Sequence, residues 1–167
     1  MGYGLIKFDG QALSYLDCGV LKAPAKMAME ERLYMLFVKL KEVIEKYRPS
    51  EAAIERPFVS KNAQSAIAIG QAQAVAILAA QEKGLPVYQY TPAKVKQSVT
   101  NYGGSTKDQV QRMVWLQLDA TVTGAKVGGS TGLGYPFTET ADPTDALAVA
   151  ICHTYELRLA NSLAQLK

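Results

Sequence analysis

The sequence predicts an α/β domain built on a mixed β-sheet. Three observations carry this: an opening hairpin pattern, short apolar runs that afterwards alternate with helical periodicity, and turn residues at the junctions. Tyr3 to Phe8 and Ala12 to Val20 read as two strands joined through Asp9-Gly10, which supplies the positive φ a tight turn needs. From Met27 to Tyr47, Met29, Leu33, Leu36, Phe37, Leu40, Val43 and Ile44 recur at helical spacing, with Pro49 just beyond. Glu51 to Glu55 is a short apolar run closed by an acid and followed by Pro57, as expected of a buried strand that ends at a loop. Ala63 to Lys83 predicts a long helix stopped by Gly84, with Ala and Gly positions that let another backbone approach closely.

Pro86 to Tyr90 is the next strand, and Thr91-Pro92 opens a helix that carries Lys94 and Lys96 before a break at Gly103-Gly104. Thr106 and Gln109 have capping-box spacing at the start of a helix to about Leu118. Between Asp119 and Ala141 the composition turns to Gly, Thr and Ser, which predicts a long surface loop or flap. Asp142-Pro143-Thr144-Asp145 then starts a final helix, Pro at its first position, to about Leu159.

A chain of 167 residues with 49% hydrophobic content is enough for one core and one domain. Gln64, Gln71 and Gln73 interrupt the apolar stretch from Ala63 to Ala80, so a soluble protein with no membrane span is expected. The N-terminus has no secretory pattern, and Cys18 and Cys152 lie far apart in apolar segments, which suits free thiols in a reducing cytoplasm. A net charge of +3 permits nucleic-acid binding without requiring it.

The candidate chemistry lies in three carboxylates. Glu55 closes a short strand, and Asp142 and Asp145 share one face at a helix start. Carboxylates from separate elements can hold hard divalent cations and leave room for a phosphate and a water, the requirements of phosphodiester hydrolysis. Spacing alone equally allows Asp142 as an N-cap, Asp145 as a partner of the helix dipole and Glu55 as half of a salt bridge. His153 fits a structural role as well as one near the acids, and Trp115, among Met113, Val114, Leu116 and Leu118, reads as core.

Ala53-Ile54-Glu55-Arg56-Pro57-Phe58, Lys61-Asn62-Ala63-Gln64-Ser65-Ala66, Gly70-Gln71-Ala72, Val95-Lys96-Gln97-Ser98-Val99, Lys107-Asp108-Gln109-Val110-Gln111 and the run from Ala141 to His153 occur in one order. This ordered set, spanning roughly Gly2 to His153, resembles the RuvC-type Holliday junction resolvases (crossover junction endodeoxyribonucleases). The resemblance implies a ribonuclease H-like fold, a mixed sheet flanked by helices, in a single domain over 1–167 with a glycine-rich insertion at about 122–137. It implies a structure-selective endonuclease that resolves four-way DNA junctions in recombination and repair, using two Mg²⁺ ions, with Mn²⁺ as an alternative. Glu55, Asp142 and Asp145 match three of the family's four acidic metal ligands. Phe58 matches its base-stacking aromatic, and Lys96 and Lys107 match basic residues that approach DNA phosphates. A homodimer paired through the 63–80 helix, junction-binding and branch-migration proteins as partners, and a cytoplasmic location are implied too.

Two departures accompany the resemblance. Relatives begin with a strand ending in Asp-x-Gly ahead of the Gly-Tyr-Gly seen here as Gly2-Tyr3-Gly4, and this sequence carries neither that first, central strand nor its aspartate. The start at Met1 is therefore expected to be a truncation, which leaves a junction-binding or dimerising module with impaired cutting as the alternative function. The second departure is the glycine-rich segment just ahead of Asp142, where relatives have a short connection. A ribonuclease H-like nuclease acting on another nucleic acid is a third reading that the fold permits.

Overall fold

The computed structural model describes residues 1–56, 63–118 and 142–165. Phe58, the 122–137 segment and the Asp142 side chain lie outside the described residues. The elements run β1 (Gly2–Phe8), β2 (Leu13–Val20), α1 (Met29–Tyr47), β3 (Ala52–Glu55), α2 (Ala63–Glu82), β4 (Val87–Tyr90), α3 (Pro92–Thr100), α4 (Lys107–Gln117) and α5 (Asp142–Ala164). They fall into two compact units, one of Met1 with Val20–Pro92 and one of Gly2–Gly19 with Ala93–Lys167.

In the first unit β3 and β4 pair in parallel, Ala52 opposite Val87 through Glu55 opposite Tyr90. The connection between them is α2, as a parallel crossover requires. α2 packs along α1 and against both strands, burying Val75, Ala79 and Ala80. Two ion pairs of 2.6 Å, Lys41 with Glu82 and Lys83 with Glu45, tie α1 to the end of α2. Both are solvent-accessible, so they add little to stability beyond the apolar contact. α1 begins at Met29 rather than Met27, with Ala28 as its N-cap, and ends on Arg48 in the left-handed conformation just before Pro49. By length and composition α2 would pass for a membrane span, with mean hydropathy 1.3, so its glutamines do not break the stretch as expected. Its inner face is instead taken by α1 and the strands.

The second unit begins with the predicted hairpin. β1 and β2 form a two-stranded sheet whose ends are joined by the Asp9–Ala12 turn. Gly10 has φ +99°, and Asp9 Oδ1 accepts hydrogen bonds of 2.9 Å from the amides of Gln11 and Ala12. Those donors hold the Asp9 carboxyl below its ordinary pKa. Both strand orientations of the predicted mixed sheet are present, but in separate two-stranded sheets with no bridging strand among the described residues.

α5 lies on β1, and α4 packs against α5. The core of this unit is Val99, Val114, Trp115, Leu118, Leu147, Ile151 and Cys152, all almost wholly buried. Trp115 is core, as predicted, its ring tilted against Tyr15 at 5.6 Å between centroids. Cys18 and Cys152 are free thiols, and burial raises the pKa of each. α5 continues to Ala164, past the predicted end near Leu159, because no Gly or Pro follows to stop it.

The capping box of α4 is formed. Thr106 Oγ1 accepts from the Gln109 amide at 3.3 Å, and Gln109 Oε1 accepts from the Thr106 amide at 2.9 Å. Replacing Thr106 by Ala removes one bond of this pair and is expected to destabilise the protein by ~1 kcal/mol. Urea denaturation followed by circular dichroism reads the change as a lower midpoint with unchanged slope. An unchanged midpoint would mean that solvent caps the helix equally well.

Candidate metal and nucleic-acid site

Glu55 is the last residue of β3. The parallel ladder continues just past it, with the Arg56 amide donating to Tyr90 O at 2.7 Å, so the backbone at Glu55 is fixed from both sides. Its side chain is exposed at the carboxyl end of the strand. In open α/β sheets that end is where ligands are held, because successive loops diverge there.

The second group of predicted residues lies at the start of α5 and of α4. Asp142 opens α5, and Pro143 and Thr144 are buried beside it. Asp145, one turn on, is 42% exposed, and Lys107 Nζ lies 3.5 Å from its Oδ2. Lys107 is the first residue of α4, directly after the Thr106 cap, so the reciprocal capping bonds anchor the backbone from which it reaches. The structure thus joins a predicted DNA-contacting lysine to a predicted metal-binding aspartate from a different helix. Nothing in their sequence separation announces this.

Lys96 lies on α3 and is half-buried, with its carbonyl accepting from Thr100 Oγ1 at 2.8 Å. His153 is buried on α5. Two contacts tying α3 to α5 were not anticipated from the sequence: Lys94 with Glu156 at 2.8 Å, and Ser98 Oγ donating to Cys152 Sγ at 3.2 Å. Sequence reasoning also missed Gly4, where β1 meets α5 with no room for a side chain. The only available signal was a glycine inside a strand.

The family model for crossover junction endodeoxyribonuclease RuvC matches residues 1–131. The chain belongs to the RuvC family. RuvC of Chloroflexus aggregans is 43% identical over 156 residues, covering 93% of this chain and 86% of the relative. RuvC of Desulfitobacterium hafniense is 40% identical, over 98% of this chain and 90% of its own length. Among solved structures, Thermus thermophilus RuvC matches at a TM-score of 0.77 and 27% identity, covering 95% of this chain and 89% of that one. T. thermophilus RuvC in complex with a Holliday junction substrate matches at 0.78 and 28%, covering 95% and 88%. The fold is therefore ribonuclease H-like, as the sequence predicts, with helices around strands of both orientations.

RuvC proteins are divalent-metal endodeoxyribonucleases. The residues of this chain fit such an ion by chemistry. Glu55, Asp142 and Asp145 offer only carboxylate oxygens, the donors that hard divalent cations take. Asp145 stands beside the Lys107 ammonium and is half open to solvent, so its oxygens are within reach of an ion. Among the described residues no group of three or more His, Cys, Asp or Glu side chains gathers at metal distance. The Asp142 side chain lies outside that set.

Proposed function

We propose that this RuvC-family chain resolves four-way DNA junctions by metal-dependent phosphodiester hydrolysis in recombination and repair. The observation that carries the reading is the meeting of Asp145 and Lys107, an acid and a base from two helices, in a chain so similar to a RuvC solved with a Holliday junction substrate. Glu55, Asp142 and Asp145 would hold Mg²⁺ as a pair of ions, with Mn²⁺ able to replace it. When bound, such ions supply charge stabilisation for the phosphate and a more acidic water.

The chain's own groups do the rest. Lys107 and Lys96 would draw in a phosphate backbone, their charges releasing counterions from DNA as they bind. Lys107 also balances the charge of Asp145 before any DNA arrives. Phe58 would stack on a base near the junction centre. The 63–80 helix would pair two copies, which is supported by its exposed Ile67, Ile69 and Leu78. We read residues 1–167 as one ribonuclease H-like domain acting in the cytoplasm beside junction-binding and branch-migration proteins.

The test is cutting of a synthetic four-way junction by this chain and by the chain extended with the genomic codons upstream of Met1, each with and without Mg²⁺. Mg²⁺-dependent cutting of two strands of like polarity by the extended chain is expected. If neither form cuts the junction, the resolvase reading fails. Light scattering of the same samples at micromolar concentration should give a dimer mass, and a monomer would remove the helix-pairing assignment.

A further inference from the structure

We propose that Gly4 is a positioning residue for the acidic start of α5: its missing side chain sets how closely α5 sits on β1, and so where Asp145 is held relative to Lys107. The proposal rests on the reading of Asp145 as a metal ligand. A Cβ at Gly4 would lie 2.7 Å from Leu147 N, 2.8 Å from Leu147 Cγ and 2.9 Å from its Cδ2. Carbon atoms in contact normally stand about 3.5–4.0 Å apart, so all three distances are deep inside the repulsive wall. The shortest is to a backbone atom of the helix, which cannot rotate aside as a side chain could.

Conformation does not explain the glycine, because the positive-φ glycines among the described residues are Gly10 and Gly84. Close approach is what position 4 demands. Relief cannot come easily from the neighbours. Leu147 is fully buried, with Ile151 one turn further on also fully buried. β1 is held to β2 by its ladder and by Tyr3 Oη donating to Asp17 Oδ2 at 3.1 Å. α5 must therefore lift by roughly half an ångström or more to admit a methyl group. Asp145 precedes Leu147 by half a turn and moves with it, while Lys107 stands on another helix, its backbone held within α4 by the capping box. Metal and catalytic constellations tolerate displacements of only ~0.5 Å, so a shift of this size falls on metal affinity before it falls on folding.

The experiment compares Gly4→Ala with the unsubstituted protein by thermal unfolding, by Mn²⁺ titration followed through the electron paramagnetic resonance of the free ion, and by junction binding without metal. Mn²⁺ affinity should fall by about tenfold, in the range seen when groups behind a metal ligand are disturbed, while junction binding stays within about twofold. Gly19→Ala is the structural control. Its Cβ would meet the Tyr3 ring at 2.8 Å, on the same hairpin but away from α5, so it should cost stability and leave Mn²⁺ affinity intact.

If Gly4→Ala does not fold, Gly4→Ala with Leu147→Ala removes both side-chain clashes and keeps the backbone one, so it should fold and still bind Mn²⁺ weakly. Unchanged Mn²⁺ affinity in whichever of these folds overturns the positioning role, whatever the melting temperature does. Asp145→Asn separates the two levels: if it leaves Mn²⁺ binding unchanged, the assignment of Asp145 as a ligand has failed, rather than the geometry at Gly4.

Discussion

Replacing Glu55 by Gln, or Asp145 by Asn, is expected to slow junction cutting by about 10³-fold or more and to leave metal-free junction binding nearly unchanged. Each substitution keeps the size of the side chain and one oxygen but deletes the negative charge that a hard divalent cation requires. Losing several kcal/mol of transition-state stabilisation, at about 1.4 kcal/mol per tenfold, gives that order of magnitude. The Lys107–Asp145 pair is 59% and 42% exposed at a separation of 3.5 Å, so breaking it costs less than about 1 kcal/mol. Glu55 is exposed at the end of its strand. Deleting the Asp145 charge also frees Lys107 for phosphate, so DNA affinity should hold or rise. Single-turnover cutting of an end-labelled junction, beside gel-shift binding in EDTA, measures both quantities. Cutting retained within tenfold would exclude that carboxylate as a required ligand.

Most elements were legible because periodicity and punctuation agreed. Pro49 and Gly84 mark the ends of α1 and α2, and Thr106 with Gln109 marks the start of α4 through bonds made entirely within one turn. The far end of α5 was not legible, since helix formers simply continue beyond Leu159. In α2 apolar and small residues surround the axis almost evenly, so the sequence does not reveal that Val75, Ala79 and Ala80 face inward while Ile67, Ile69 and Leu78 do not. That choice is made by α1, β3 and β4.

The candidate site divides in the same way. On spacing alone its acids could have been caps, and family resemblance was needed to pick them out. The Lys107–Asp145 contact and the Gly4–Leu147 approach both depend on packing between elements distant in the chain. Local pattern carries no signal for the first, and for the second only a glycine inside a strand. Gly4 is the instructive miss, because inside a strand a glycine reads as a weak position, and only the helix laid across it gives the missing side chain a purpose.

The largest loss of stability is expected from Trp115→Ala, at roughly 3–5 kcal/mol. Trp115 is 2% exposed and stands among Leu118, Leu147, Ile151 and Val99 in the core of its unit. Its ring also meets Tyr15 at 5.6 Å and an interplanar angle of 57°, so truncation removes an aromatic pair along with a large apolar surface. A small domain has only about 5–15 kcal/mol of stability in all, so this one cavity takes a large part of it. Urea denaturation followed by far-ultraviolet circular dichroism, with Trp115→Phe beside it, gives the measurement. The Phe variant should lose much less because it refills most of the volume. A loss below 1 kcal/mol for Trp115→Ala would show that the ring is not the core residue its burial indicates.

Function should follow stability here, in contrast to the carboxylate variants. Trp115 lies on α4, the helix whose first residue brings Lys107 to Asp145, so loosening its packing disturbs that contact from behind. At a temperature and urea concentration where Trp115→Phe remains folded, its cutting rate should stay within a few fold of the unsubstituted protein. The acid variants would be inactive while fully folded. A folded Trp115→Phe protein as inactive as Glu55→Gln would instead assign the indole a direct part in the reaction.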